Sequence, residues 1–276
     1  MITRLESEQS VKEYLDIMDH RKTEQLIDTL DKVEQNRKEC YIREFSIEHF
    51  HDSKVFETLI PKICKIFREE NEELTGFENE EILAEYQIYK TPGYVYMKGN
   101  VQIYSAGKQA ADISAFPEGI AVAVGSEEDV PDICPDQTID KVFTIENLTS
   151  FYRFKQEHSL VIYLGGYHNR SRRNLLMQIY QKLPDAQYYH FGDLDAGGFY
   201  ILEHLKRKAG IPFQMFQMDI ETLKKYEDYA KPLTENDKKR LMQLEKMELP
   251  DEERKLITYM LQKGIKLEQE CISESQ

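Results

Sequence analysis

Between Val142 and Met218 the chain repeatedly switches between short apolar runs and helix-forming stretches, and few folds satisfy that alternation. Val142 to Ile145 is apolar, and Leu148 to Gln156 has helical character. Leu160-Val-Ile-Tyr-Leu164 reads as a strand closing on Gly165-Gly166, and Arg172 to Leu183 as a helix. Tyr188 to Phe191 then reads as a strand, Phe199 to Lys208 as a helix and Phe213 to Met218 as a strand. Strands alternating with helices at this spacing form right-handed βαβ units, which build a parallel sheet covered on both faces. The expected class is α/β with a Rossmann-type parallel sheet.

The N-terminal half has a different texture. From Val11 to about Lys38, Leu15, Met18, Leu26, Ile27, Leu30 and Val33 are spaced as one helical apolar stripe. Ser46 to Phe67 suggests two short helices, with Ser46 and Asp52 as N-caps, Ile60, Ile63, Ile66 and Phe67 as an apolar face, and Pro61 as a break or turn start. From Ile82 onward three β-rich runs, Tyr86–Tyr89, Tyr94–Met97 and Val101–Tyr104, are separated by the turn signals Thr91-Pro92-Gly93 and Gly99-Asn100. Helices followed by a small antiparallel ribbon predict a winged-helix-like module. Ala121 to Val124 is a further strand, followed by the proline-punctuated acidic cluster of Glu127, Glu128, Asp129, Pro131, Asp132 and Pro135, where a domain boundary is expected. The expected organisation is a helical arm over 1–40, a winged-helix-like domain over 41–135, and an α/β domain over 136–276. The last of these ends in two helices with Gly264 as a break.

A chain of 276 residues, 41% hydrophobic and 31% charged, can bury a sizeable core, and no apolar run approaches the length of a membrane span. The start MITRLESEQS lacks the apolar core of a secretory signal, so the expected address is the cytoplasm. Cys40, Cys64, Cys134 and Cys271 are far apart and form no CxxC pair, which suits thiols in a reducing compartment. The net charge of -14 argues against a surface that binds nucleic acid throughout, but leaves room for a local basic patch.

In an open α/β sheet, ligands collect beyond the carboxyl ends of the strands where the strand order reverses. Glu146 follows the first strand of the alternating unit, and Asp193 and Asp195 follow the third. If those strands are neighbours, three carboxylates face one crevice. Three hard oxygen donors suit Mg²⁺ or Mn²⁺ rather than zinc. Gly192, Gly197 and Gly198 permit a tight turn there, although a lone DxD at a strand end is more often an N-cap and turn than a metal site. Arg170, Arg172 and Arg173, in the stretch beginning at His168, either hold a phosphodiester or form a solvated helix start. His168 and His190 read as structural. Glu268 and Glu270 either reach the crevice or cap packing at the C-terminus.

The segments TIENLTSF, LGGYHNRSRRNLL and FGDLDAGGFYIL together resemble the Toprim domain of topoisomerases, primases and some nucleases. With REFSIEHFHDSKVFETL at Arg43 to Leu59 and the closing LEQE at Leu267 to Glu270, the chain resembles the DUF2220 family, which includes nuclease subunits of Wadjet anti-plasmid systems. The resemblance runs from about Arg43 to the end. It implies a Toprim domain beside a winged-helix domain like that of the topoisomerase A subunit, and a homodimer that cuts DNA presented by an SMC-type, condensin-like complex. Glu146, Asp193 and Asp195 would be the catalytic metal ligands for Mg²⁺ or Mn²⁺. Family members usually carry a longer N-terminal arm than the roughly forty residues found here before the match. Two other functions remain open at the level of sequence: a topoisomerase-like transesterase using a tyrosine such as Tyr41, Tyr94 or Tyr96, and a non-catalytic DNA-binding scaffold.

Overall fold

A computed structural model describes residues 7, 10–11, 14, 19–71, 74, 77–90, 93–105, 107–124, 131–165 and 170–272. The chain divides into two compact units, Met1–Pro92 and Gly93–Gln276.

The first unit holds α1 (His20–Gln35), β1 (Cys40–Tyr41), α2 (Ile42–Phe50), α3 (Val55–Glu70), α4 (Asn79–Glu85) and β2 (Ile88–Tyr89). Helix α1 starts where Asp19 accepts a hydrogen bond from the Lys22 N–H, and it buries Leu26, Thr29 and Val33. Ile27 of the expected stripe is exposed. Leu15 and Met18 lie outside the described residues. Ser46 sits within α2 rather than capping a helix. Its hydroxyl accepts from the Phe56 N–H at 3.1 Å and donates to the Asp52 carbonyl, which pins the α2–α3 turn. Pro61 lies inside α3 without ending it. The missing N–H is tolerated because Phe56, Ile63, Cys64, Ile66 and Phe67 bury one continuous face around it. Strands β1 and β2 pair in parallel.

The second unit is α/β, with parallel and antiparallel pairing. Its strands are β3 (Gly93–Lys98), β4 (Val101–Ser105), β5 (Lys108–Asp112), β6 (Ile120–Val124), β7 (Asp132–Pro135), β8 (Lys141–Ile145), β9 (Ser159–Tyr163), β10 (Gln187–Phe191), β11 (Gln214–Met215), β12 (Lys231–Pro232) and β13 (Ile265–Lys266). The helices are α5 (Leu148–Arg153), α6 (Arg170–Lys182), α7 (Ala196–Ala209), α8 (Ile220–Lys225), α9 (Glu235–Leu244) and α10 (Asp251–Lys263). Six strands form the main sheet in the order β11-β10-β8-β9-β3-β6. Strands β11, β10, β8 and β9 run parallel, and β3 and β6 extend the sheet antiparallel.

Three expectations are corrected here. The three β-rich runs do not form one ribbon: β2 belongs to the first unit, β3 joins the main sheet beside β9, and β4 joins the separate sheet β5-β4-β7. The division into units accordingly falls at Pro92/Gly93 rather than near residue 135, because β3 and β6 extend the sheet that the alternating strands begin. The expected strand Phe213–Met218 is also shortened to Gln214–Met215, at the sheet edge.

The near-continuous apolar strands follow from burial on both faces. Val142, Leu160, Ile162 and Leu164 belong to one hydrophobic cluster with Leu175, Leu176 and Ile179 of α6. Their alternate neighbours Phe143, Ile145 and Val161 belong to another, with Phe151 of α5 and Leu256, Ile257 and Met260 of α10. The parallel register pairs Ile145 with both Tyr163 and Phe191, so the chain leaves β8, β9 and β10 at the same level. With β9 on one side of β8 and β10 on the other, the strand order reverses beside β8. Glu146 and Asp193 emerge at that reversal.

Candidate acidic site

Glu146 is held at the end of β8 by its own backbone, whose N–H donates to the Phe191 carbonyl at 3.1 Å. Its Oε2 accepts from the Asp193 N–H at 3.3 Å, so the first and third strand ends meet through a carboxylate. The turn that allows this needs Gly192 and Gly198. A Cβ on Gly192 would lie 2.7 Å from Glu146 Oε2 and 2.8 Å from His190 Nε2, and one on Gly198 would lie 2.1 Å from the Asp193 carbonyl oxygen. Asp195 is the N-cap of α7, its Oδ1 accepting from the Gly198 N–H at 2.9 Å. Its Oδ2 lies 3.9 Å from Lys266 Nζ, which also pairs with Asp237 at 2.9 Å.

A segment distant in sequence closes the site. Leu194 and Leu267 form an antiparallel bridge, with N–H···O distances of 2.9 and 3.1 Å. This lays residues 267–272 along the GDLD turn. Gln269 is completely buried there, and its backbone N–H donates to Asp193 Oδ1 at 2.7 Å. Glu270 accepts from the Asn147 side-chain amide, beside Glu146, while Glu268 pairs with Lys231 at the exposed rim. Sequence reasoning weighed the two glutamates of LEQE and missed Gln269 and Lys266, whose positions depend on a tertiary pairing that no local pattern announces.

Burial pushes the Asp193 carboxyl up to about 6, Asp195, Glu270 and Glu268 push in the same direction, and the Gln269 N–H opposes them. Below it, His190 is buried on β10 and held near 3 by burial, with Lys206 adding to the effect. Its Nδ1 lies 3.0 Å from Thr144 Oγ1, and no hydrogen-bond partner for its Nε2 is found among the described residues.

The three arginines lie in the first turn of α6, the helix that follows β9 in the chain. Arg172 donates from Nη1 to the Leu164 carbonyl at 2.5 Å, which ties the helix start to the end of β9. Arg173 contributes to the depressed pKa of His204 on α7. The side chain of Arg170, and His168 altogether, lie outside the described residues.

Among the described residues no group of three His, Cys, Asp or Glu side chains is gathered closely enough to cage an ion. Mg²⁺ seldom uses such a cage: it is bound through one or two carboxylates, keeps several waters and takes substrate phosphates as further ligands. An all-oxygen donor set around a half-buried, charge-crowded Asp193 fits that hard cation chemistry.

Fold and site together define an α/β protein whose parallel strands end in an acidic crevice at the reversal of strand order. Residues 128–276 match the model of the family described as Wadjet protein JetD, C-terminal, and the chain belongs to that family. The Wadjet protein JetD of Bacillus cereus (strain Q1) is 28% identical over 263 residues, covering 94% of this chain and 63% of the relative's length. Glu146, Asp193, Asp195 and Gln269 all fall within the family match.

Proposed function

We propose that the chain is the DNA-cleaving subunit of a Wadjet-type anti-plasmid system, a Toprim-like endonuclease in which Glu146, Asp193 and Asp195 hold Mg²⁺ or Mn²⁺. The observation that carries this reading is Asp193, a half-buried carboxylate crowded by Asp195, Glu268 and Glu270 and touching Glu146 through its own N–H. A protein keeps such an unfavourable cluster at a strand-order reversal where the negative charge has work to do.

When bound, a divalent cation supplies Lewis-acid stabilisation of the phosphate and activation of water near neutral pH. The chain's residues prepare for it. Asp193, whose carboxyl is pushed up to about 6 by burial, would be one of the oxygen donors that hold it. Asp195 is oriented by the α7 N-terminus, and Glu146 by the Asp193 N–H. Arg170, Arg172 and Arg173 open α6 after β9, and this basic helix start is read as the group that steadies the DNA backbone, with Arg172 also tied to the Leu164 carbonyl.

A net charge of -14 repels bare DNA, so productive binding relies on an SMC-type, condensin-like partner that delivers bent DNA to a homodimer. Two acidic sites facing opposite strands suit a double-strand break.

The test is a supercoiled-plasmid assay with Mg²⁺ or Mn²⁺, with and without the SMC-type complex, alongside solution mass. Linear product with free ends, lost in Asp193→Ala, supports the nuclease. A covalent protein–DNA adduct would transfer the site to a tyrosine transesterase. No cleavage with both cation and complex present would leave a DNA-binding scaffold.

A further inference from the structure

Gln269 makes contacts unlike those of any other residue around the crevice. Its side chain is fully buried and both ends of its amide are used. The Oε1 accepts from the Asn147 N–H at 2.9 Å, where the chain leaves β8 for α5, and the Nε2 donates to the Phe191 carbonyl at 3.0 Å, where β10 ends. The backbone N–H takes one oxygen of Asp193. That Phe191 carbonyl also receives the Glu146 N–H, so both of its lone pairs are occupied by groups of the site. One residue therefore ties together the exits of the first and third strands and fixes the rotamer of the carboxylate between them.

We infer that Gln269 is the positioning residue of the acidic site, fixing where Asp193 and Glu146 stand through the C-terminal segment 267–272. The inference rests on the cation-binding reading above. Gln269 is fully buried and acts through its neighbours. Replacing its amide with an apolar group of similar volume leaves the Asn147 N–H without its partner and the Phe191 carbonyl with the Glu146 N–H alone, and removes the side-chain tie between the C-terminal segment and the two strand ends. Groups that orient ligands in this way typically change metal affinity or activity by about 10- to 100-fold when lost.

The experiment uses the full chain and Mn²⁺ alone, with affinity read by electron paramagnetic resonance or calorimetry in the absence of DNA. Gln269→Met keeps the volume and removes both side-chain hydrogen bonds, and Gln269→Ala removes the volume as well. Thr258→Ala, which removes a hydrogen bond to Glu245 of 2.8 Å in the C-terminal helices, controls for destabilisation alone. The expected result is Mn²⁺ binding weakened by about 10- to 100-fold in both Gln269 variants and unchanged in Thr258→Ala. Plasmid cleavage by Gln269→Met should return when Mn²⁺ is raised by a similar factor. Wild-type affinity in folded Gln269→Met would overturn the inference while leaving the nuclease reading standing. A loss that tracks only the unfolded fraction, matched by Thr258→Ala, would overturn it too. A wild-type chain that binds no Mn²⁺ would remove the functional reading itself, and this inference with it.

Discussion

The strand-end turns and the C-terminal segment meet at one crevice but are built by different means. Glu146, Asp193 and Asp195 stand where they do because β8 and β10 are adjacent parallel strands and because Gly192 and Gly198 let the third strand turn tightly. Residues 267–272 arrive through a single bridge to Leu194, anchored by the buried amide of Gln269. The turns carry the three candidate ligands, while the segment adds the Gln269 contacts that hold them and two further charges, Glu268 and Glu270, that press on Asp193. The candidate ligands therefore stand where chain geometry is locally enforced, and orientation is delegated to a part of the chain far away in sequence.

The largest expected effect separates these roles directly. Glu146→Ala and Asp193→Ala should each lower cleavage by at least about 10²–10³-fold, the range seen when one charge-stabilising group is removed from a site. Neither should change the circular dichroism spectrum. Asp195→Ala should be equally inactive and in addition less stable by about 1 kcal/mol, because it also removes the N-cap of α7. Plasmid assays paired with urea denaturation give both quantities. If a Gln269 variant proved as inactive as Asp193→Ala even at high Mn²⁺, the distinction between ligand-bearing and orienting regions would fail.

The glycine pair offers the next sharpest contrast. Gly198→Ala drives a Cβ to 2.1 Å from the Asp193 carbonyl oxygen, a backbone atom that cannot swing away, so destabilisation of about 3 kcal/mol is expected, the upper part of the overpacking range. Gly197→Ala meets only Asp195 Oδ1 at 3.0 Å, a side-chain atom able to shift, and should cost much less. Equal denaturation midpoints for the two variants would mean that the turn is looser than its contacts imply.

These same residues show how far the sequence could be read. The alternation of Val142–Ile145, Leu160–Leu164 and Tyr188–Phe191 with helical stretches gave the parallel strands, since a run buried on both faces must be apolar along its whole length. The pairing of first and third strands was stated as a condition, and it holds. The competing view of Asp195 as a helix cap also holds, because capping α7 occupies only one of its oxygens. The ribbon expected from Tyr94–Met97 and Val101–Tyr104 could not be assigned correctly from local signals: a β-rich run announces its tendency to pair and not its partner. Gln269 was invisible for a related reason. An amide between two glutamates looks like exposed surface until Leu267 is placed on Leu194.

A pH-dependent difference follows from His190, which belongs to the strand side of the crevice. Its folded pKa is held near 3, below the ordinary 6.5, so the unfolded chain binds the extra proton first as pH falls. The stability supplied by keeping this imidazole neutral is complete above pH 6.5 and lost on acidification toward 3. Between pH 7 and 5 the loss attributable to it is about 2 kcal/mol. His190→Gln should flatten the stability profile by that amount when urea midpoints are compared across the interval. An unchanged slope would show that the buried imidazole is more open to water than its surroundings suggest.

The smallest effect is expected at the outer side of the C-terminal segment. Glu268 pairs with Lys231, and both side chains are about half exposed, so the contact is screened by water and salt. Lys231→Gln should leave the denaturation midpoint unchanged within error, because the segment is held from inside by Gln269 and by the Leu194–Leu267 bridge. Glu268→Gln should also leave the fold unchanged, while lowering the Asp193 pKa slightly by removing one of the charges that raise it, a shift readable by carboxyl-carbon NMR. A clear loss of stability in either variant would place the anchoring of the segment at its rim, and the contrast between a charged outer edge and a neutral, orienting interior would have to be abandoned.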